Sequence, residues 1–208
     1  TMALFHRATI TPTKAEIIAA WVPTQPWGPP TGAAVDVVGA YRFDDPDHRV
    51  GMESHLVTAG GRLVHVPLPY RDEPVDGADD ALITEMHHSE LGTRWVYDAL
   101  SDERYVIMLA AVAMTGQGEA LGMAVYDGRW CIAPTNIRLH GGGWNLERVP
   151  VDGFQRVSDD GSAVVFNNER FELRFFRQPV PGPRPAIGLT ATWDEQPDPV
   201  VLAEVREL

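Results

Sequence analysis

Between residues 35 and 70 the chain alternates short β-branched and aromatic runs with turn residues, the pattern of successive antiparallel strands. Strands are predicted over 35–43, 50–59 and 62–69. The acidic turn Asp44-Asp45-Pro46-Asp47 separates the first two, and Gly60-Gly61 supplies a two-residue hairpin turn between the second and third. Pairing about that turn sets Val57 opposite Val64 and His55 opposite Val66, while Leu56 faces His65 on the other side. Pro67 and Pro69 cannot donate to a ladder, so the third strand is expected to end early or to lie at an edge.

Two helices punctuate the β pattern. Thr13 stands three residues before Glu16, the spacing that satisfies two orphan amides at a helix start, and Ile17, Ile18 and Trp21 follow as an apolar stripe. Pro23 and Pro26 forbid continuation, so this helix ends near Trp21, and residues 23–33 form a loop anchored by Trp27. After an acidic loop over 72–80, strands are predicted near 82–89 and 93–98. Ser101, Asp102 and Glu103 then offer an N-cap and two first-turn acids. Tyr105 through Met114 is almost wholly apolar, and Gly116 stands where a C-terminal cap belongs. A helix apolar on nearly every side must be buried on nearly every side, so 102–115 reads as a central helix on the concave face of a curved sheet.

The remainder, 118–208, reads as β throughout. Strands are expected near 119–127, 129–132, 136–140, 152–158, 162–168, 170–178, 186–194 and 200–206, with Asp127-Gly128 and Asn167-Asn168 as hairpin turns. Pro179, Pro181, Pro183 and Pro185 mark a stiff extended connection. No repeat or long linker separates the halves, so both are allowed to share one sheet system. The fold class is therefore α+β: a curved, mainly antiparallel sheet wrapped around a central apolar helix, with a mostly β extension.

Composition narrows the function classes. Seventeen basic residues against twenty-nine acidic ones give a formal charge of -12 over 208 residues. Such a chain repels phosphate backbones and anionic lipid, which argues against nucleic acid and membrane surfaces as partners. Lys14 is the only lysine and Cys131 the only cysteine, which leaves no internal disulfide and fits a reducing, cytoplasmic setting. Thr1 to Arg7 carries no long apolar run after a basic start, so a signal peptide is not expected, and no stretch reaches about 18 uninterrupted apolar residues.

Phosphoryl transfer needs a phosphate-cradling loop or lysine and metal-holding carboxylates. No G-x-x-x-x-G-K-[ST] or H-x-D-x-x-x-x-N occurs; in the stretch from His140 to Asn145, Gly142 stands where the carboxylate belongs. His140-Gly141-Gly142-Gly143 spells the oxyanion-hole sequence of some α/β-hydrolases, but no serine has the flanking glycines of a nucleophile elbow, so a structural glycine loop is the plainer reading. The adjacent His87 and His88 point to opposite faces of a strand and cannot clamp one ion. Asp44, Asp45 and Asp47 lack the ligand spacing of a calcium loop. No metal and no cofactor are assigned. Of the six tryptophans, Trp21, Trp95 and Trp193 lie in regular elements, whereas Trp27, Trp130 and Trp144 lie near loops or turns and are candidate binding or interface residues. Arg94 and Arg138 are the candidate cations for a sugar or sugar phosphate held between the sheet and the extension.

Trp21-Val22-Pro23-Thr24-Gln25-Pro26-Trp27 after a short capped helix, followed by the meander to residue 70 and by Trp95-Val96-Tyr97-Asp98-Ala99-Leu100, resembles the N-terminal cap domain of actinobacterial maltokinases. The resemblance covers roughly residues 5–116 and leaves 118–208 without a counterpart. It implies a small sheet curved about a helix, joined in the full enzymes to a kinase body that phosphorylates maltose with ATP on the route from trehalose to glycogen. No kinase body follows the cap in this sequence, and no catalytic residue carries over. Three readings stand: a non-catalytic cap-like module that binds a sugar kinase or α-glucan enzyme, or pairs as a homodimer; a sugar or sugar-phosphate binding protein; and an enzyme of unrecognised chemistry.

Overall fold

The computed structural model describes residues 2–4, 8–143 and 146–208. It is mostly β, 47% strand against 14% helix, so sheets rather than helices set the architecture. The elements run β1 (Met2–Leu4), β2 (Ile10–Thr11), α1 (Lys14–Trp21), β3 (Val35–Asp44), β4 (Val50–Ala59), β5 (Arg62–Arg71), β6 (Leu82–His88), β7 (Gly92–Tyr97) and α2 (Glu103–Ala113). They continue as β8 (Leu121–Tyr126), β9 (Arg129–Ile132), β10 (Arg138–Gly141), β11 (Gln155–Asp159), β12 (Ala163–Asn167), β13 (Phe171–Phe176), β14 (Gly188–Trp193) and β15 (Gln196–Glu207). Strand pairing gives one six-stranded sheet in the order β2-β6-β7-β5-β4-β3, a second in the order β10-β14-β15-β13-β12-β11, and a small sheet β1-β8-β9. The two large sheets are antiparallel; β1 runs parallel to β8.

The central hairpin has the expected register. Val57 faces Val64, His55 faces Val66 and Leu56 faces His65, with Ala59 and Arg62 closing the turn. Gly60 and Gly61 both take positive φ, 57° and 76°, which is the twist a two-residue hairpin turn requires. β5 corrects the edge expectation in an instructive way. It does not stop at its prolines but runs to Arg71, and it reaches β7 only through Tyr70 and Arg71. Along the proline-bearing length no neighbouring strand of its own sheet asks for the missing donors. His65 there donates its amide to the Arg177 carbonyl at 2.9 Å, a link to the C-terminal segment.

α1 starts as its capping residues dictate: Thr13 accepts from the Glu16 amide, and Glu16 Oε2 accepts from the Thr13 amide at 2.8 Å. It passes at Val22 into a 3-10 turn that carries Pro23. The start of α2 is shifted from the reading above. Asp102, not Ser101, is the cap, accepting from the Arg104 amide at 3.0 Å. Arg71 fixes that carboxylate with two bonds, Nε–Oδ2 at 2.8 Å and Nη2–Oδ1 at 2.9 Å, a bidentate pairing that neither Ser101 nor sequence spacing announces. Asp98 caps the 3-10 turn Ala99–Ser101 rather than the helix, and α2 ends at Ala113 with Met114, not Gly116, as its C-terminal cap.

The expected curved, mainly antiparallel sheet is present as a curled half-barrel, but it does not wrap a central apolar helix: the buried side chains divide into two cores. In the larger, Tyr41, Phe43, Met52 and Leu56 of the first sheet meet Tyr105 and Leu109 of α2 and Leu173, Phe175 and Leu189 of the second. α2 is one component of this core, with Ile107, Met108 and Ala111 only half-buried. The smaller core packs Ile17, Ile18, Val22 and Trp27 against Val57, Val64, Val66 and Leu68 on the other face of the first sheet. Both faces of that sheet are therefore covered, and its central strands read as continuous burial rather than alternation.

Candidate functional site

Alternation along β4 sends Met52, Ser54 and Leu56 toward α2 and Glu53, His55 and Val57 toward α1. Two ionisable side chains are thus set into an otherwise apolar face. Lys14, on the first turn of α1, answers them with a salt bridge to Glu53 Oε2, and its Nζ lies 5.3 Å from the Tyr70 ring centre. His55 Nε2 is 3.6 Å from Glu53 Oε1. Burial pushes the Glu53 carboxyl up, but Lys14, His55 and Arg42 outweigh it and hold the group below the usual carboxylate range. Burial lowers His55 to about 4 against the opposing pull of Glu53. Burial and the Glu53 charge push the Tyr70 phenol well above its ordinary value, and its hydroxyl has no hydrogen-bond partner among the described residues.

Two clefts flank this cluster and share Lys14, Arg42 and Glu53 as a common wall. The first, of about 530 Å³, opens between the start of α1, the β3–β4 turn and β6–β7, and takes in Tyr70 and Arg94. The second, of about 560 Å³, lies between β3 and the segments at 119–122 and 134–136, and takes in His55. Both are of small-molecule size. Titratable groups are within mutual reach here. Glu53 is held ionised beside Lys14, and burial keeps the His55 ring neutral at pH 7. What the arrangement offers is fixed charge and polar contacts beside a cleft.

The opposite face of the sheet carries a second buried polar set. Tyr41 Oη lies 2.8 Å from His65 Nε2, and Ser54 Oγ lies 2.9 Å from Tyr105 Oη. The His65 ring stacks on Phe175 at 4.5 Å, and burial drives it down to about 3. These groups are buried against the larger core.

The residues named from sequence do not converge. Trp27 is buried, edge-on to Trp21 at 5.6 Å and covered by the Arg177 guanidinium at 4.6 Å, so it braces the proline turn instead of offering a ring. Trp130 is 60% exposed on β9, and Arg138 is exposed on β10. Arg94, half-buried on β7, alone of these lines a cleft. Trp144 lies outside the described residues. The face between the two large sheets is filled by the larger core, and the second cleft, which does adjoin the extension, is lined by none of the described tryptophans.

The glycine run after His140 is a packing device. A Cβ at Gly141 would stand 2.1 Å from the Val112 carbonyl oxygen, and one at Gly143 would stand 2.5 Å from that of Met114. The three amides are already donated, Gly141 to Gln117, Gly142 to Gly188 and Gly143 to Ala113. Amides so occupied cannot hold an oxyanion. Among the described residues no group of three or more histidine, cysteine or acidic side chains is placed to hold a metal ion, and no helix is long and apolar enough to cross a membrane.

Sequence reasoning missed Lys14, Glu53 and Tyr70. A faint signal existed: Glu53 and His55 occupy alternate positions of a strand, on the face that Val57 shows to be inward.

No curated protein matches the chain. Residues 21–102 match the family model described as the maltokinase N-terminal cap domain, a span narrower than the 5–116 of the motif-based resemblance. It runs from the Trp21–Trp27 turn through β7 to the Asp102 cap and includes Arg42, Glu53, His55, Tyr70 and Arg94, though not Lys14. This part of the chain, which supplies most of the first sheet and most of the wall between the clefts, is a relative of the maltokinase N-terminal cap domain.

Proposed function

We propose that the chain acts as a non-catalytic cap module that works by contact with a kinase-type body in carbohydrate metabolism, within the trehalose and glycogen theme to which maltokinases belong. The match of residues 21–102 to the cap model is the observation that carries this reading.

The contact surface of this reading is the small sheet. Val125 stands opposite Trp130 and Met123 opposite Ile132, so these side chains share one face with Leu121. Trp130 is 60% and Ile132 73% exposed, and Leu121 and Val125 are also more than half exposed. An apolar row of this kind marks a protein contact. A kinase-type body is a better occupant than a second copy, because two chains each carrying -12 repel one another. The test mixes the full chain with a maltokinase body whose own cap is deleted and follows complex formation by light scattering. The proposal expects a one-to-one complex that is lost in Trp130→Asp and Ile132→Asp. A homodimer lost in the same variants, or a complex indifferent to them, would contradict it.

A further inference from the structure

The second cleft is balanced in charge, with Lys14 and Arg42 against Glu53 and Glu119 in its lining. Lys14 is bridged to Glu53 Oε2, and Glu119 Oε2 accepts from the Leu139 amide at 2.7 Å. Such a lining exerts little net pull on an ion of either sign. The same cleft is lined by His55, only 4% exposed, whose Nε2 is buried and has no hydrogen-bond partner among the described residues. Glu53 Oε1 lies 3.6 Å from that nitrogen, too far for a direct hydrogen bond. Across the β3–β4 ladder Ala40 stands opposite His55, and the Ala40 amide donates to Asn136 Oδ1 at 3.3 Å. The C-terminal extension thus brings a carboxamide to the strand position that faces His55.

A buried polar atom without a partner is costly and calls for a group that answers it. Beside the Glu53 carboxylate the proton of the neutral His55 ring belongs on Nε2, which makes that nitrogen a donor 3.6 Å from an acceptor. One hydroxyl answers both, accepting from Nε2 and donating to Oε1. An ammonium has no lone pair to accept with, and a carboxylate has no proton to donate and meets the charge of Glu53. The volume, about 560 Å³, takes a ring-sized molecule with further hydroxyls. We infer that the second cleft is a binding site for a small neutral polyol, one hydroxyl of which bridges His55 Nε2 and Glu53 Oε1 while the rest extends toward Asn136. Because Nε2 is buried, the Glu53 carboxyl turns to admit that hydroxyl, and Lys14, held on its other oxygen, moves with it. This inference goes beyond the cap reading and stands on different residues from the β8–β9 contact row.

Isothermal titration of the full chain with rings of one size and different charge tests it: glucose and myo-inositol as neutral polyols, glucuronate as the anion and glucosamine as the cation. At least one neutral ring is expected to bind at about 10 mM or below, and about tenfold more tightly than either ion. Lys14 is the only lysine, so its side-chain nitrogen gives a single NMR signal, which should shift as the neutral ring is added. His55→Phe keeps a ring and removes the nitrogen; it should weaken binding about tenfold with no fall in the urea midpoint. Asn136→Ala, on the exposed rim, should weaken it about two- to fivefold. Arg138→Gln, outside both clefts, should leave it unchanged. Tighter binding of glucuronate or glucosamine than of both neutral rings overturns the inference in favour of an ion site. Failure of both neutral rings to bind, or binding indifferent to both His55→Phe and Asn136→Ala, overturns it outright.

Discussion

The two six-stranded sheets solve the same burial problem in different ways. The second is one-sided along β13, though β14 and β15 are buried continuously over Gly188–Ala191 and Val200–Ala203. Along β13, Phe171, Leu173 and Phe175 enter the core while Glu172 and Arg174 stay half-exposed on the outer side, the alternation expected where one face meets water. The first sheet is covered on both faces, by α1 on one and by α2 with the second sheet on the other. Its polar side chains have no water to fall back on and must be answered from within. Among the described residues, the buried tyrosines and histidines with strongly displaced protonation, Tyr41, His55, His65, Tyr70 and Tyr105, sit in that sheet or in the helix packed on it. Burial on two faces concentrates chemistry-bearing contacts in one half of the molecule. The other half supplies apolar mass.

The largest expected effect comes where the two sheets meet. Phe175 is fully buried and stacks on His65, so Phe175→Ala should cost about 3–5 kcal/mol in chemical denaturation. A loss below about 1 kcal/mol would mean that the sheets are not packed through this ring. Next stands Glu53→Ala, which leaves Lys14 and His55 facing each other without their carboxylate. Breaking a mostly buried pair of this kind, discounted for the part-exposed Lys14, should cost about 2–3 kcal/mol.

Acid sharpens the same contrast. His55 is lowered to about 4 and His65 to about 3 from an ordinary 6.5. The unfolded chain therefore takes up protons first. The stability these two neutral rings allow is whole above about pH 6.5 and falls as the pH drops toward 4 for His55 and toward 3 for His65. The slope through that window should approach about 1.4 kcal/mol per pH unit for each ring. His55→Gln should roughly halve it, as followed by urea midpoints between pH 6 and pH 4.5. Glu53 and Asp45, both held below their ordinary values, add to the loss at the acid end. The smallest effect belongs to the outer face of the second sheet. Glu172→Ala removes a part-exposed partner 3.7 Å from Arg174 and should change stability by less than about 1 kcal/mol.

Local structure was legible in the sequence wherever one residue type forces one geometry. Gly60-Gly61 fixed a hairpin and its register, Thr13 and Glu16 fixed the start of a helix, and the strand runs fell within a few residues of their observed limits. What escaped depends on contacts distant along the chain. The Lys14–Glu53 pair joins residues 39 apart, and the Arg71 fork that makes Asp102 the cap joins residues 31 apart. No local pattern encodes either. The apolar run over 105–114 suggested a rod enclosed by one sheet, whereas the same hydrophobicity is satisfied by the shared core between two sheets. The loop tryptophans misled for a related reason: Trp27 looked available in sequence, but its ring is covered by an arginine 150 positions later, Arg177.

The central claim, a module that acts by contact and not by chemistry, meets its most direct test in a turnover assay. The purified chain is incubated with ATP and maltose, and both phosphosugar and ADP are measured. The account predicts neither product above the protein-free control. Steady product formation that disappears in Glu53→Gln, with the fold of that variant intact, would contradict it.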